Sequence, residues 1–184
     1  MGAPEQFTQD LKLPPESLSG ATVPHRNWLG ALEQDRWVLE EIPPKIRQPQ
    51  LAEGGGKVFL AWTEAEDADA DGPLRCAAVI GNTLGEVSGI PKGWLWGLAV
   101  SAAGEPYLLW SPPKREGATG RDCYLSVCKQ GRWCSPVRVP LESRLLSERY
   151  RPMPMAVDSK ANVHLCWYSG EGLYYAMVAF GATQ

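Results

Sequence analysis

Three aspartates alternate with alanines in one short acidic stretch, and carboxylates at this spacing can converge on a metal ion. Asp67, Asp69 and Asp71 form the Asp-x-Asp-x-Asp-Gly pattern that opens calcium-binding loops, in which oxygen ligands surround a hard cation. Ala78 takes the twelfth position, where such a loop needs a bidentate glutamate. The stretch therefore predicts either a calcium site formed by the three aspartates or a solvated acidic loop between two strands.

Arginine and tryptophan side chains stand where apolar, strand-like segments begin. They are Arg47, Trp94, Trp96 and Arg151. A guanidinium pairs with a carboxylate in a bidentate manner, and an indole offers a flat apolar face to a sugar ring. We therefore expect these four residues to bind a glycan or a small anionic ligand. The alternative is that the two indoles pack inside the protein and that Arg151 is a solvated charge at the start of a strand.

The segments that position these side chains belong to a repeated unit. Three of them have the pattern of a strand, a turn and a second strand that ends on tryptophan, namely Pro49–Trp62, Gly97–Trp110 and Pro154–Trp167. Aligned on that tryptophan, the three copies match without a gap. One strand position is then leucine in every copy, namely Leu60, Leu108 and Leu165. One turn position holds Gly56, Gly104 and Ala161.

This alignment makes two local predictions. The two glycines indicate that the turn position needs a positive φ, so Ala161 should be strained there. The second strands are almost continuously apolar, which is typical of strands covered on both faces. We therefore expect Trp62, Trp110 and Trp167 to lie in the core. We expect His164, which aligns with aromatic residues of the other copies, to be a packed histidine.

Two further segments have the pattern of outer hairpins. Arg121–Val139 aligns with His25–Ile42. In this alignment Tyr124 matches Trp28, and Trp133 matches Trp37. Together with the strand pairs above, they make a four-stranded antiparallel unit of about 45 to 55 residues, which is typical of a propeller blade. The sequence therefore predicts an all-β fold, a β-propeller with about three four-stranded antiparallel blades in each chain.

The predicted organisation starts with a loose arm and leaves the ring of blades unfinished. Residues 1–22 form the arm, 23–42 an outer hairpin, 47–90 and 94–139 two whole blades, and 151–180 a set of inner strands. Closed propellers have about four to eight blades around a channel, so about three cannot close alone. We expect either a homodimer that closes a ring of about six blades or a piece of a longer propeller.

Composition narrows the classes of partner. The net charge is −3 without a basic run, which argues against nucleic acid, and no apolar run is long enough to span a membrane. The first residues lack the apolar core of a signal peptide, and the five cysteines, an odd count without CxxC spacing, indicate neither a disulfide framework nor a zinc site. Buried thiols in a reducing, cytoplasmic compartment are the expectation.

The segment Ile46–Gly72 resembles the first blade of sialidase-type propellers, and the copy that ends at Trp167 is similar to the wider family of BNR-repeat propellers. The resemblance implies that Arg47 is a carboxylate-binding arginine and that an acid/base aspartate comes from Asp67, Asp69 or Asp71. Glu66 stands where that family has a second arginine. The family's Asp-box is represented only by Ser126–Trp133, without its aspartate.

Three functions remain open at this point. The first is a non-catalytic β-propeller that binds a ligand, such as carbohydrate, or serves as an interaction scaffold, with no cofactor besides the calcium considered above. The second is a glycoside hydrolase of sialidase type. The third is a structural assembly domain without a small-molecule site. Paired carboxylates in a cavity would favour the enzyme, and an aromatic platform would favour the glycan-binding protein.

Overall fold

The computed structural model describes residues 27–33, 36–42, 45–66, 71–113, 116, 121–139, 153–169 and 172–179. These residues form antiparallel β-strands and no helix, which confirms the predicted all-β fold. The predicted arm at residues 1–22, Asp67, Asp69 and Arg151 lie outside the described residues. The described strands do not close into a barrel or a ring.

The structure describes fourteen strands. Contacts between residues group them into two compact units. One unit contains the hairpin of β1 (Asn27–Glu33) and β2 (Arg36–Ile42). The other contains β3 (Ile46–Gly54), β4 (Lys57–Glu64), β5 (Gly72–Ile80), β7 (Ser88–Val100), β8 (Pro106–Ser111), β9 (Cys123–Lys129), β10 (Arg132–Trp133), β11 (Val137–Val139), β12 (Met155–Val157), β13 (Asn162–Ser169) and β14 (Gly172–Ala179). The short strand β6 (Thr83–Leu84) pairs with β5.

The larger unit consists of three antiparallel sheets, and β7 belongs to two of them. In the first sheet, β3, β4 and β5 are followed by the part of β7 up to Gly93. In the middle sheet, the part of β7 from Trp94 onward pairs with β8, β8 pairs with β9, and β9 pairs with β10 and β11. The third sheet is β12, β13 and β14. The long strand β7 therefore carries the chain directly from one sheet into the next.

The middle sheet is covered on both faces. On one face, Leu95, Leu108 and Trp110 pack with residues of the first sheet such as Ala61 and Leu74. On the other face, a second cluster joins it to the third sheet; the cluster includes Trp94, Trp96, Tyr107, Leu109, Leu125, Val163 and Leu165. Because successive residues of a strand point to opposite faces, its strands are apolar at almost every position.

The shared tryptophans and leucines take the predicted core positions. Leu60, Leu108 and Leu165 are buried, as are Trp62 and Trp110. Trp167 is half-buried, packs against the core cluster of the middle and third sheets, and stacks on Tyr174 with a ring separation of 5.7 Å. The expectation of core tryptophans is confirmed at Trp62 and Trp110, and it holds in part at Trp167.

The predicted turn geometry is confirmed, but the gap-free alignment is wrong by one residue. Gly56, Gly104 and Ala161 all have positive φ, at 71°, 74° and 61°. Leu51 lies opposite Leu60, whereas Leu98 lies opposite Leu108. The first hairpin closes through the two-residue turn Gly55–Gly56, in which both residues have positive φ, as a type I′ turn requires. The other two copies have a longer turn, which shifts their first strands by one position.

Glycines permit the sheets to approach closely. A Cβ atom on Gly54 would lie 2.5 Å from the backbone oxygen of Val100 in the middle sheet. A Cβ atom on Gly97 would lie 2.6 Å from Sδ of Met155 in the third sheet. Next to this point the backbone N–H of Met153 donates to the oxygen of Trp96 at 2.6 Å. The first strand of the third sheet therefore contacts the first strand of the middle sheet directly.

Candidate functional site

The predicted site residues that the structure describes lie at one end of the larger unit. At this end, which we call the loop end, residues 65–71 connect β4 to β5 and residues 112–122 connect β8 to β9. Arg47 of β3 lies opposite Thr63, and Trp94 of β7 lies opposite Ser111. Asp71 directly precedes β5 at the same end. These residues therefore lie at the same end of the first and middle sheets.

Both β3 and β7 contain a β-bulge next to these residues. The register shifts between Arg47 and Gln50 in β3, and between Leu95 and Gly97 in β7. Gln48 has a φ of 52°, which is costly for a residue with a side chain. Bulges bend a strand and redirect its side chains, and they are common beside functional sites. Arg47 and Trp96 thus each stand at a bulge near the loop end.

Arg47 is anchored by backbone oxygens. Its Nη2 donates to the carbonyl oxygen of Glu66 at 2.6 Å, and its Nη1 donates to that of Ile46 at 3.3 Å. Its Nε is buried and has no hydrogen-bond partner among the residues that the structure describes. A buried donor without a partner is unusual in a folded protein, because its desolvation is not compensated. Arg47 is therefore held in place by two of its donors, while the third is unsatisfied within the described part of the chain.

Trp94 and Trp96 are packed into the core at the loop end. Their exposed fractions are 1% and 5%, their ring centroids are 6.1 Å apart, and the rings are tilted by 51°. Nε1 of Trp96 donates to Oγ of Ser111, which is also buried. The indole faces are covered by the core cluster of the middle and third sheets. A role of these two residues in ligand binding stays a prediction.

Arg121 joins the two connections of the loop end, and it was not among the residues singled out from the sequence. Its Nη1 lies 2.6 Å from Oδ1 of Asp71, and both side chains are less than one-fifth exposed. Its guanidinium carbon lies 5.6 Å from the ring centroid of Trp94. The sequence held no signal for this pairing, because Asp71 and Arg121 are 50 residues apart and belong to different copies of the unit.

Of the three predicted calcium ligands, the structure describes Asp71, and its carboxylate already forms an ion pair. Asp71 is ion-paired to Arg121, so a cation would have to compete with a guanidinium for its carboxylate. Asp67 and Asp69 lie outside the described residues. Among the residues that the structure describes, no group of three or more His, Cys, Asp or Glu side chains could hold a metal ion. A calcium site here stays a prediction.

A second group of polar side chains lies on the third sheet, away from the loop end. Oδ1 of Asp158 accepts hydrogen bonds from the backbone N–H groups of Lys160 and Asn162, each at 2.8 Å. Its Oδ2 accepts from Nδ2 of Asn162 at 2.8 Å and lies 3.3 Å from Nε2 of His164. These contacts, above all the side-chain hydrogen bond from Asn162, lower the pKa of Asp158 to about 2.

His164 links this aspartate to Tyr175, and the expectation of a packed histidine is wrong. Nδ1 of His164 lies 2.7 Å from the phenol oxygen of Tyr175, and the His164 side chain is 31% exposed. Val163 and Leu165, on either side of it in β13, point into the core. His164 therefore faces the opposite side of the third sheet. The one-residue alternation of the strand decides this orientation.

That opposite side of the third sheet carries an exposed apolar stripe. Leu173, Tyr175 and Met177 of β14 are 74%, 64% and 55% exposed. Tyr174 and Val178, at the alternate positions, face the core side of the sheet, where Tyr174 stacks on Trp167 and Val178 packs against the core cluster. We call the three exposed residues the β14 stripe.

Comparison with known proteins identified no relative of this chain. No family model, no curated protein and no solved structure matches this chain. Among the residues that the structure describes, no helix is long and apolar enough to cross a membrane.

Proposed function

We propose that this chain is a non-catalytic interaction scaffold, a β-propeller-type repeat module that assembles with a second copy of itself through the third sheet. The observation that carries the proposal is the β14 stripe, with Leu173, Tyr175 and Met177 each more than half exposed. Large apolar side chains in a row on a sheet face typically mark an interaction surface. The function is therefore assigned to a surface and not to a cavity.

The stacking of the sheets supports this assignment. The middle sheet buries both of its faces against neighbouring sheets. Among the described residues of the larger unit, the third sheet buries the face that carries Val163 and Leu165, while Leu173, Tyr175 and Met177 of its other face are exposed. A further sheet packed on the β14 stripe would give the third sheet the same two-sided burial. Tyrosine and methionine are also enriched at the cores of protein interfaces.

A second copy is the partner that fits best. Besides the β14 stripe, the uncovered face holds Ala156, His164 and Cys166, which alternate with core-facing residues, and none of them is a carboxylate or a lysine. The carboxylate beside this face, that of Asp158, already accepts hydrogen bonds from Lys160 and Asn162, so the face can pack against an identical chain without burying an unpaired charge. The first sheet also shows exposed apolar side chains, Leu51 at 60% and Val58 at 36%. Two copies stacked in this way would complete a ring of about six blades.

The experiment that tests this proposal is the solution mass by light scattering after size exclusion. The chain has a mass of 20.2 kDa, and we expect a species of about twice that mass. Leu173→Lys and Met177→Lys should give monomers, because each would bury an unpaired charge. Val87→Lys is the matched control, since Val87 is exposed but lies outside the stripe. A monomeric wild type, or dimers that survive both lysine substitutions, would refute the proposal.

The loop end supports a second candidate, binding of a carboxylate-bearing sugar by Arg47. In the part of the chain that the structure describes, the buried Nε of Arg47 has no partner, and the bulge at Gln48 holds an unfavourable backbone conformation. Strain and an unsatisfied donor at one place are typical of a binding site. Free sialic acid is a suitable probe, with binding followed by ligand-observed NMR. Saturation transfer should be lost in Arg47→Ala and retained in Val87→Lys. An equal signal from both variants would exclude Arg47 as the binding residue.

A further inference from the structure

We propose that Tyr175 is a covalent acyl-acceptor site, with His164 as the general base that activates its phenol and Asp158 as the residue that positions His164. The three side chains form a continuous hydrogen-bonded series on the uncovered face of the third sheet. This activity belongs to the unpaired chain, because the self-assembly proposed above would cover Tyr175. It would take activated acyl esters or thioesters with an apolar acyl chain.

The geometry assigns a direction to the hydrogen bonds. Oδ2 of Asp158 lies 3.3 Å from Nε2 of His164, so the carboxylate accepts the Nε2–H. Nδ1 then carries the lone pair and accepts the phenol hydrogen of Tyr175 at 2.7 Å. The hydrogen bond made by one ring nitrogen decides which proton state the other nitrogen adopts. This is the arrangement in which an imidazole can remove a proton from a nucleophile.

Asp158 is itself held rigidly in the charged form. Two backbone N–H groups and the side-chain amide of Asn162 donate to its carboxylate. These hydrogen bonds leave room on Oδ2 for one more donor, and Nε2 of His164 lies at that place. A fixed carboxylate orients the imidazole and stabilises the imidazolium that forms when the base takes a proton. Asp158 does not touch the reacting atoms and acts through His164.

The chemical step is nucleophilic acyl transfer. As the phenol oxygen of Tyr175 attacks the carbonyl carbon of the donor, its proton passes to Nδ1 of His164. The new bond joins the phenol oxygen to the acyl carbon, and the bond from that carbon to the leaving alkoxide or thiolate breaks. His164 then gives its proton to the leaving group. The products are an aryl ester on Tyr175 and the free alcohol or thiol.

The surroundings of Tyr175 favour an apolar acyl chain. Leu173 and Met177, two residues to either side in β14, point to the same face and are exposed. An alkyl chain attached to Tyr175 could cover these side chains and remove apolar surface from water. A phosphoryl group at the same place would put charge beside apolar side chains, at a cost in desolvation. The stripe therefore selects acyl donors over phosphoryl donors.

The test is acylation of the unpaired chain by 4-nitrophenyl hexanoate, at a dilution where light scattering gives the mass of one chain. The reaction is followed through nitrophenolate release and mass spectrometry of the peptides. Tyr175 should be acylated faster than any other tyrosine of the wild-type chain. His164→Asn should lower that rate on the order of 100-fold, because asparagine can accept the phenol hydrogen bond but cannot take the proton. Tyr174→Phe is the matched control and should react like wild type, since Tyr174 stacks on Trp167 on the other face.

The dependence of the acylation rate on pH distinguishes a catalytic role of His164 from a purely structural one. The groups facing His164 are Asp158 from the turn, Tyr175 from β14 and Cys166 two residues along its own strand, while Ala156 of β12 has nothing to titrate. The dependence of the rate on pH should differ between the wild type and His164→Asn, because only the wild type holds a base beside the phenol. Asp158→Asn should lower the rate and change the shape of the wild-type profile.

Either of two results would overturn the proposal. One is equal acylation of Tyr175 in the wild type and in His164→Asn at neutral pH. The other is acylation of Tyr175 no faster than that of Tyr124, which is half-buried on β9. The fold of each variant is checked by its thermal transition. The wild-type peptide map decides the second result without any substitution. 4-Nitrophenyl acetate should react more slowly than the hexanoate if the stripe binds the chain.

Discussion

Gly104 and Ala161 occupy the same position in two equivalent turns, and both have the left-handed backbone conformation, with φ of 74° and 61°. In each turn the backbone N–H at this position donates to the carbonyl oxygen three residues earlier, that of Ser101 or of Asp158. The residue at the start of each turn donates its N–H to the oxygen four residues later. In the third copy, Ala161 therefore has the left-handed backbone conformation that glycine has in the second copy.

Replacing Ala161 by glycine should stabilise the protein. An L-residue in the left-handed region is strained by its Cβ, and glycine removes that strain. We expect Ala161→Gly to raise the free energy of unfolding by about 0.5 to 1 kcal/mol, measured by urea denaturation. Gly104→Ala is the matched control and should lower stability, because it introduces the same strain into the equivalent turn. An unchanged or lower stability of Ala161→Gly would show that the third turn is not strained.

The sequence predicted the parts of the fold that depend on local chemistry. Strand character, the buried leucines and the positive φ at Ala161 all follow from residue type and spacing. The one-residue offset of β3 was missed, because the type I′ turn at Gly55 shortens the first hairpin without changing the strand pattern that follows. A one-residue shift can be read from a sequence only where apolar and polar residues alternate strictly, and Ile46–Gly54 does not alternate in this way.

The candidate site was less predictable because it depends on tertiary contacts. Arg47 and Trp94 were found from the sequence, since they precede recognisable strands. Arg121 was missed because its partner Asp71 lies in another copy of the unit. His164 was assigned to the core because its strand looks apolar throughout. Whether the face that holds His164 is buried depends on whether a further sheet covers it, and the sequence of one strand does not contain that information.

Gly54→Ala should destabilise the contact between the first and middle sheets. The added Cβ would lie 2.5 Å from the oxygen of Val100 and 2.7 Å from that of Ser101. Both are backbone atoms, so the neighbouring turn would have to move. We expect a loss of about 1 to 3 kcal/mol in the free energy of unfolding. Gly85→Ala is the control with little effect, since its nearest atom, at 3.3 Å, is the flexible end of Ile80. Equal effects would show that the close approach is absent.

Cys76 and Cys123 should be inert in the folded protein. Burial raises the pKa of each thiol to about 12, because the thiolate is poorly solvated in the core. With iodoacetamide at pH 8, we expect labelling at the half-buried Cys128 and Cys134, and at Cys166 where the third sheet is not covered by a second copy. All five should be labelled in denaturant. Peptide mass spectrometry measures the extent at each site. Rapid native labelling of Cys76 or Cys123 would contradict the packing of the middle sheet.

Asp158 should make the third sheet sensitive to acid. The side-chain amide of Asn162, followed by backbone N–H groups, lowers the pKa of Asp158 from 3.8 to about 2 in the folded chain. Because the pKa is lower in the folded than in the unfolded state, this carboxylate stabilises the fold above about pH 4. The contribution is lost as the pH falls from 4 to 2.

Comparing Asp158→Asn with the wild type at several pH values checks this prediction. The variant should have a lower thermal transition temperature at pH 7, and the difference should shrink between pH 4 and pH 2, where the wild-type carboxyl takes up its proton. Asp122→Asn removes another charged partner, from an exposed ion pair with Arg138. It is the control because exposed pairs contribute little to stability, so its smaller difference should vary little over this range. A constant difference for Asp158→Asn would mean that the amide contacts of Asn162 do not favour the ionised carboxylate.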